Sequence, residues 1–132
     1  MAESGELYIM FIESAKTWVV ELENNLLDLE KFPRDKELLN NIFRIVHNIK
    51  GSSGNVGLTD ISGFAHTLED SLELMRQDKL FPDKQLISSL LTAVDLISEM
   101  VEAAAVKDSF DLSRCSLWVC SMDTLKVRST AI

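Results

Sequence analysis

The chain has 132 residues, of which 46% are apolar and 26% are charged, and its formal net charge is −8. This length corresponds to one domain, and the apolar share is too high for an intrinsically disordered chain. The acidic balance argues against nucleic-acid binding, which requires a basic surface. No apolar run reaches the roughly 18 residues of a membrane span, and no signal peptide is recognisable, so we expect a cytoplasmic protein.

The first two predicted elements are helices, because their apolar residues recur at steps of three and four. The first covers residues 6–30, and one face carries Leu7, Met10, Phe11, Trp18, Leu22, Leu26 and Leu29. Pro33 ends it, since proline disfavours helical backbone at the preceding residue. Asp35 is the expected N-cap of the second helix, which runs into residues 51–54 before a turn at 55–57. The apolar face of this second helix is Leu39, Ile42, Val46 and Ile49.

Two further helices follow the same periodicity. The third is expected to begin near Thr59 or Asp60, both good capping residues. Asp83 is the expected N-cap of the fourth, which runs to about Val106. The third helix presents Ile61, Phe64, Ala65, Leu68, Leu72 and Met75, and the fourth presents Leu86, Ile87, Leu90, Leu91, Val94, Ile97 and Val101. We interpret Trp18 and the phenylalanines as core residues. Four helices with short links predict an all-α fold, an antiparallel up-down four-helix bundle over residues 1–106.

Residues 107–132 are predicted to form a C-terminal extension. They carry 4 basic and 3 acidic side chains, whereas residues 1–106 carry 9 basic and 18 acidic ones. The apolar residues of this extension, Leu112, Leu117, Trp118 and Leu125, favour a fifth helix packed on the bundle, although residues 117–120 also fit a short strand. Cys115 and Cys120 match neither a disulfide framework nor a zinc motif, so we interpret them as reduced thiols.

The two histidines of the chain lie on polar stripes beside the apolar faces of the second and third helices. His47 and His66 are equidistant from the turn at residues 55–57, so antiparallel helices place them at the same height, roughly 8–10 Å apart. Glu69 follows His66 by three residues, and Lys50 follows His47 by three. We therefore predict an exposed cluster of His47, Lys50, His66 and Glu69.

This cluster suits phosphoryl transfer through a histidine. A carboxylate that accepts a hydrogen bond from Nδ1 fixes the imidazole tautomer and leaves Nε2 as the nucleophile. Lys50 can offset the charge of a phosphoryl group on that nitrogen. Small residues at 51–54 leave room for a partner, which explains two helical glycines that each cost about 0.5–1 kcal/mol relative to alanine. Taken singly, each of these polar residues is more simply a solvated surface residue.

A longer motif surrounds the first histidine. The segment His47-Asn48-Ile49-Lys50-Gly51-Ser52-Ser53-Gly54-Asn55-Val56-Gly57 matches the signature H-x-[IL]-K-G-S-S-x-x-x-G and resembles histidine phosphotransfer (HPt) domains. The pair in His66-Thr67-Leu68-Glu69 is similar to one in the N-terminal HPt domain of CheA, the chemotaxis histidine kinase. The segments 11–15, 42–44 and 93–95 also resemble CheA, and the likeness covers about residues 6–106. Ser52-Ser53 departs from the Gly-Ala or Ser-Ala common in CheA and is closer to stand-alone HPt modules.

The resemblance implies a role for each residue of the cluster. His47 would accept a phosphoryl group from the ATP-binding kinase domain of a CheA-type histidine kinase and pass it to an aspartate of a response regulator. Glu69 would orient the His47 ring, Lys50 would offset phosphate charge, and His66 would assist. The surface approached by a partner would consist of Gly51, Ser52, Ser53 and Gly54. The domain is not expected to be a kinase on its own, because the sequence has no phosphate-binding loop and no kinase glycine-rich motif.

The resemblance also implies cofactors and partners. We expect this domain to bind no cofactor, with ATP and Mg²⁺ used by the kinase domain and Mg²⁺ by the response regulator. The expected partners are a CheA-type kinase domain and a CheY-like or CheB-like receiver domain, with no nucleic acid and no membrane. The isolated domain is expected to be monomeric. Because the chain ends at Ile132 without dimerisation, ATP-binding or coupling domains, we interpret it as a part of a larger kinase.

Three alternatives remain at this level. A stand-alone HPt carrier would use the same residues. A helical-bundle metalloprotein would use His47, His66 and Glu69 as ligands, although bundle metal sites normally point inward and these stripes face outward. A bundle that binds partners without phosphoryl transfer would not need the intact motif at His47.

Overall fold

The computed structural model describes the backbone of residues 2–130 and the side chains of residues 5–126. Five helices follow one another: α1 (Ala2–Lys31), α2 (Lys36–Asn55), α3 (Thr59–Arg76), α4 (Lys84–Ala105) and α5 (Ser113–Thr130). The predicted all-α bundle with a fifth helix is therefore confirmed. The strand alternative for residues 117–120 is wrong, because these residues lie within α5. Met1 and residues 131–132, the ends of the two predicted units, lie outside the described residues.

Short polar caps set the beginnings of two helices, as predicted. The Asp35 carboxylate accepts a hydrogen bond of 3.1 Å from the backbone N–H of Leu38 at the start of α2. Asp83 accepts one of 2.8 Å from the N–H of Leu86 at the start of α4. Each bond satisfies one of the backbone N–H groups that a helix leaves unpaired in its first turn.

The beginning of α3 differs from the prediction. The helix begins at Thr59, as predicted, but its N-cap is Leu58 with no side-chain capping bond, so the expected capping by Thr59 or Asp60 is wrong. Both residues lie inside the first turn, where Asp60 places negative charge at the positive end of the helix dipole. The turn is closed instead by the backbone, because the N–H of Leu58 donates to the carbonyl of Ser53 at 2.9 Å. Helix α3 can therefore begin without a polar cap.

One hydrophobic core includes residues of all five helices. Helix α1 packs on α2 and α4, α2 packs on α3, and α4 contacts both α3 and α5. The largest fully buried side chains are Leu22, Leu26, Leu29, Ile42, Val46, Ile49, Leu68, Leu72, Ile87, Leu90, Ile97 and Met122. Within residues 2–130, no helix is long and apolar enough to cross a membrane.

Six apolar residues that the sequence assigned to the core or to packed helical faces are exposed instead: Leu7, Met10, Phe32, Phe81, Leu112 and Leu117. Leu7 and Met10 line a surface groove between α1 and the end of α2, together with the half-buried Trp18. Phe32 and Phe81 lie outside the helices, in the connections after α1 and before α4.

Helix α5 packs mainly on α4, so only a narrow stripe of it is buried. That stripe is Cys115, Trp118, Met122 and Leu125, at steps of three and four, and Leu117 projects away from it. Trp118 donates its indole N–H to the carbonyl of Ser89 at 2.7 Å and meets the Phe64 ring edge-to-face at 5.3 Å. Because this stripe belongs to the common core, α5 is part of the folded bundle. The boundary predicted between residues 106 and 107 stays a prediction.

Candidate functional site

The connection between α2 and α3 brings two polar stripes together. Asn55 ends α2, and the chain reverses through Val56 and Gly57 before α3 begins. Gly57 has a φ of +81°, in the left-handed region that favours glycine. This short turn makes the two helices antiparallel neighbours, so residues equidistant from it face each other. The structure therefore aligns His47 on α2 with the polar stripe of α3.

Glu69 joins two side chains of α2. Its Oε2 lies 2.8 Å from His47 Nδ1, and its Oε1 accepts a hydrogen bond of 2.8 Å from Lys50 Nζ. The side chain of His47 is 60% exposed, whereas those of Lys50 and Glu69 are 27% and 13% exposed. The carboxylate is thus sheltered beneath an imidazole that remains open to solvent.

The ionisation of Glu69 follows from these contacts. Burial raises the pKa of this carboxyl, but the hydrogen bonds from Lys50 and His47, with the attraction of their charges, outweigh burial. The net result is a pKa below the ordinary value of 4.5. At neutral pH Glu69 is therefore ionised and can act only as a hydrogen-bond acceptor.

This contact determines which nitrogen of His47 is reactive. Because an ionised carboxylate accepts and cannot donate, His47 Nδ1 must carry the proton of the 2.8 Å hydrogen bond. In the neutral imidazole, Nε2 then has a free lone pair. Since the ring is largely exposed, Nε2 is accessible to a partner. The arrangement can perform nucleophilic attack through Nε2.

The structure places His66 beside this triad and not within it. Its side chain is 62% exposed, and its Nε2 lies 3.8 Å from Asp70 Oδ1. With Lys50 and Gly51 it lines a shallow groove between α2 and α3. His47, Lys50 and Glu69 are thus joined by hydrogen bonds, whereas His66 lies near Asp70, one turn further along α3.

The small residues after Lys50 occupy different environments. A Cβ added at Gly51 would meet open space, whereas one at Gly54 would lie 3.3 Å from Ser62 Oγ. Ser52 lines the groove on the α1 side. Ser53 is fully buried, and its hydroxyl donates to the carbonyl of Lys50 at 3.1 Å. Of the four residues expected at a partner surface, Ser53 therefore has a structural role.

Three residues of the site were not identified from the sequence. Ser62 donates its hydroxyl to the Lys50 carbonyl at 2.9 Å and so fixes α3 against α2. The Phe43 ring lies parallel to that of His47, and the Arg76 guanidinium lies over the Phe43 ring. The spacing of four residues between Phe43 and His47 is a signal that could have revealed this contact.

Among the described side chains, no three His, Cys, Asp or Glu residues are arranged to hold a metal ion. The hypothesis of a metal site formed by His47, His66 and Glu69 therefore gains no support from the geometry.

Comparison with known proteins adds independent information. A family model described as "Hpt domain" matches residues 6–106. The CheA chemotaxis protein of Rhizobium meliloti (strain 1021) is 31% identical over 93% of this chain. That match covers 16% of the Rhizobium meliloti protein, so the chain spans less than a fifth of the length of that relative.

Two solved structures have a similar fold. The CheA phosphotransferase domain of Thermotoga maritima is 33% identical, with a TM-score of 0.71 over 76% of this chain and 95% of that one. The phosphorylated P1 domain of CheA3 from R. sphaeroides, in complex with CheY6, has a TM-score of 0.82 over 94% of this chain and 98% of that one. At 24% identity, the second likeness supports the fold alone.

Proposed function

The chain belongs to the Hpt domain family, and we propose that it is the phosphoryl-accepting domain of a CheA-type histidine kinase. The observation that carries this proposal is the hydrogen bond between Glu69 and His47 Nδ1, which leaves Nε2 free on an exposed ring. The likeness to CheA favours a domain attached to a kinase over a stand-alone carrier.

The first chemical step is attack of the His47 Nε2 lone pair on the γ-phosphorus of ATP held by a separate kinase domain. An N–P bond forms, the bond to the bridging oxygen breaks, and ADP leaves with that electron pair. The ring becomes a cationic phosphoimidazolium, whose Nδ1 proton stays in the hydrogen bond to Glu69. A negative carboxylate at 2.8 Å stabilises the positive charge that develops on the ring.

The second step returns the nitrogen to its starting state. A carboxylate oxygen of a receiver-domain aspartate attacks phosphorus, the N–P bond breaks, and the electron pair returns to Nε2. Because the Nδ1 proton stays in place through both steps, Glu69 need not exchange a proton. Such chemistry depends mainly on positioning and electrostatics, so a small domain without an ATP site can perform its part.

Lys50 supplies positive charge next to this reaction. Its ammonium group is held 2.8 Å from Glu69 Oε1 and lines the groove beside Gly51. In this proposal it offsets charge on the phosphoryl group, and His66 assists from the far side of the groove. The partner surface consists of Gly51, Ser52 and Gly54.

The proposal also includes the setting of the domain. ATP and Mg²⁺ would be used by the kinase domain and Mg²⁺ by the response regulator, and this domain would bind neither. The partners would be a CheA-type kinase domain and a CheY-like or CheB-like receiver, in the cytoplasm. The similarity to CheA proteins supports this setting.

The test is phosphorylation with γ-labelled ATP and Mg²⁺, with and without a CheA-type kinase core. We expect acid-labile, alkali-stable label only when the core is present, and none in His47→Gln. His66→Gln is the matched variant, because it removes the other exposed histidine and keeps the nucleophile, so it should still accept label. Label that persists in His47→Gln, or wild type that stays unlabelled with several cores and a small phosphodonor, would refute the proposal.

A further inference from the structure

The side chains of His47, Phe43 and Arg76 form a stack. Phe43 lies one helical turn before His47, and their ring centroids are 6.5 Å apart with an angle of 9° between the planes. This is the offset, parallel geometry that aromatic pairs favour. The guanidinium carbon of Arg76, in the last turn of α3, lies 4.5 Å from the centroid of the Phe43 ring.

The hydrogen bond to Glu69 does not by itself fix the orientation of the imidazole. It holds one atom, Nδ1, and leaves the ring free to tilt about the line that joins Nδ1 to the carboxylate oxygen. A flat partner parallel to the ring opposes that tilt, because stacking energy falls when the planes diverge. Two constraints of different kind therefore determine the direction of the Nε2 lone pair.

Phe43 is itself held in place from the neighbouring helix. Arg76 lies over its ring within the distance of a cation–π interaction. The same guanidinium donates a hydrogen bond of 3.3 Å to Glu73, one turn earlier on α3. The stack thus spans α2 and α3, as the bond between His47 and Glu69 does.

We propose that Phe43 is a positioning residue for phosphoryl transfer, aligning the His47 ring by stacking, and that Arg76 holds Phe43 in that position. This inference rests on the proposed function of His47. In-line transfer needs the lone pair aimed at phosphorus, and small errors in direction reduce the rate. Phe43 touches no reacting atom and acts through the orientation of the imidazole.

The experiment compares Phe43→Leu, Phe43→Tyr and Arg76→Gln with wild type. Phe81→Leu is the matched control, because it makes the same change at an exposed phenylalanine in the loop before α4. Two quantities are measured: the rate at which a CheA-type core labels the domain, and the mobility of the His47 ring by ¹³C relaxation. The second measurement requires no phosphoryl transfer.

We expect Phe43→Leu to slow labelling about three- to ten-fold, in proportion to the energy of an aromatic stack. Its His47 ring should become more mobile while the Nδ1-protonated tautomer persists, because Glu69 is unchanged. Phe43→Tyr keeps a flat ring and should label within about two-fold of wild type. Arg76→Gln should also slow labelling and make the His47 ring more mobile. If Phe43→Leu folds poorly, Arg76→Gln still tests the stack.

The inference is overturned if Phe43→Leu and Arg76→Gln leave the ring mobility and the labelling rate at wild-type values. It is also overturned if Phe81→Leu slows labelling as much as Phe43→Leu does. If wild type itself accepts no label, the proposed function fails, and the ring mobilities still decide whether Phe43 orients the imidazole.

Discussion

Glu69 is the residue on which the site depends, because each of its two oxygens has a different partner. One contacts His47 and the other Lys50, and the carboxylate is largely shielded from water. Protonation of this single group would therefore weaken two contacts between α2 and α3 together.

The lowered pKa of Glu69 predicts a pH dependence of stability. A carboxylate whose pKa is lower in the folded state stabilises the fold above its unfolded pKa, and that contribution is lost as pH falls through the folded value. Near neutral pH we expect wild type to exceed Glu69→Gln by about 1 kcal/mol in unfolding free energy. Below the ordinary pKa of 4.5 the difference should shrink. Urea denaturation of wild type and Glu69→Gln, from neutral pH to below 4.5, measures this difference in unfolding free energy.

Glu13→Gln is the control for this prediction, since Glu13 is an exposed carboxylate on α1. Its difference from wild type should be small at every pH. A difference between wild type and Glu69→Gln that stays constant into strong acid would contradict the linkage.

Gly51 provides a second prediction for a single residue. A Cβ at this position would meet open space, so Gly51→Ala should stabilise the helix by about 0.5–1 kcal/mol. The same methyl group would project into the groove that the proposed function assigns to a partner, and labelling by the kinase core should fall several-fold. Thermal denaturation and labelling rates measure the two effects. Gly5→Ala in α1, which also meets open space, should leave labelling unchanged. Labelling of Gly51→Ala at the wild-type rate would show that close approach is not required.

At the scale of elements, α5 depends mainly on α4 for its packing. An ion pair of two hydrogen bonds joins Arg114 to Glu99 across the two helices, at 3.2 and 2.6 Å. Trp118 provides the buried anchor. The two cysteines of this helix differ in exposure, because Cys115 is buried and Cys120 is exposed.

The cysteines can therefore report whether α5 is docked. Burial raises the pKa of the Cys115 thiol and hides it from reagents, so alkylation should modify Cys120 first. Peptide mass spectrometry after a timed exposure to iodoacetamide measures both sites. Trp118→Ala should accelerate modification of Cys115 by loosening α5, with little change at Cys120. Equal rates in wild type would mean that α5 leaves α4 readily.

The predicted elements show which features the sequence can determine. The caps at Asp35 and Asp83 were predictable because a capping bond involves residues only three apart. The cap of α3 was not, because the bond that closes its turn joins the backbone of Leu58 and Ser53. Apolar periodicity could not predict the exposure of Leu7 either, because it identifies an apolar stripe but not how far a neighbouring helix covers that stripe.

The same distinction applies to the candidate site. Helix geometry and the position of the turn were sufficient to bring His47, Lys50 and Glu69 together. The contact of His66 with Asp70 and that of Arg76 with Phe43 depend on side-chain conformations, which spacing does not specify.

At the scale of the whole molecule, the core is continuous through all five helices. A single core predicts one cooperative unfolding transition, in which α5 does not separate first. The chain provides two probes, because its two tryptophans, Trp18 and Trp118, lie on α1 and α5. In Trp18→Phe and Trp118→Phe, we expect the remaining tryptophan fluorescence to change at the same urea concentration as the helical circular dichroism. A Trp118 signal that changes at lower urea would show that α5 unfolds separately.

The close arrangement of the site within α2, the turn and α3 has a consequence for how such chains diversify. Among the described side chains, the groups that contact His47 and those that hold them lie between Phe43 and Arg76. One continuous segment of the chain, residues 43–76, therefore contains the described contacts of the candidate site. An exchange of this one segment between related chains would carry those contacts together, whereas α1, α4 and α5 contribute none of them.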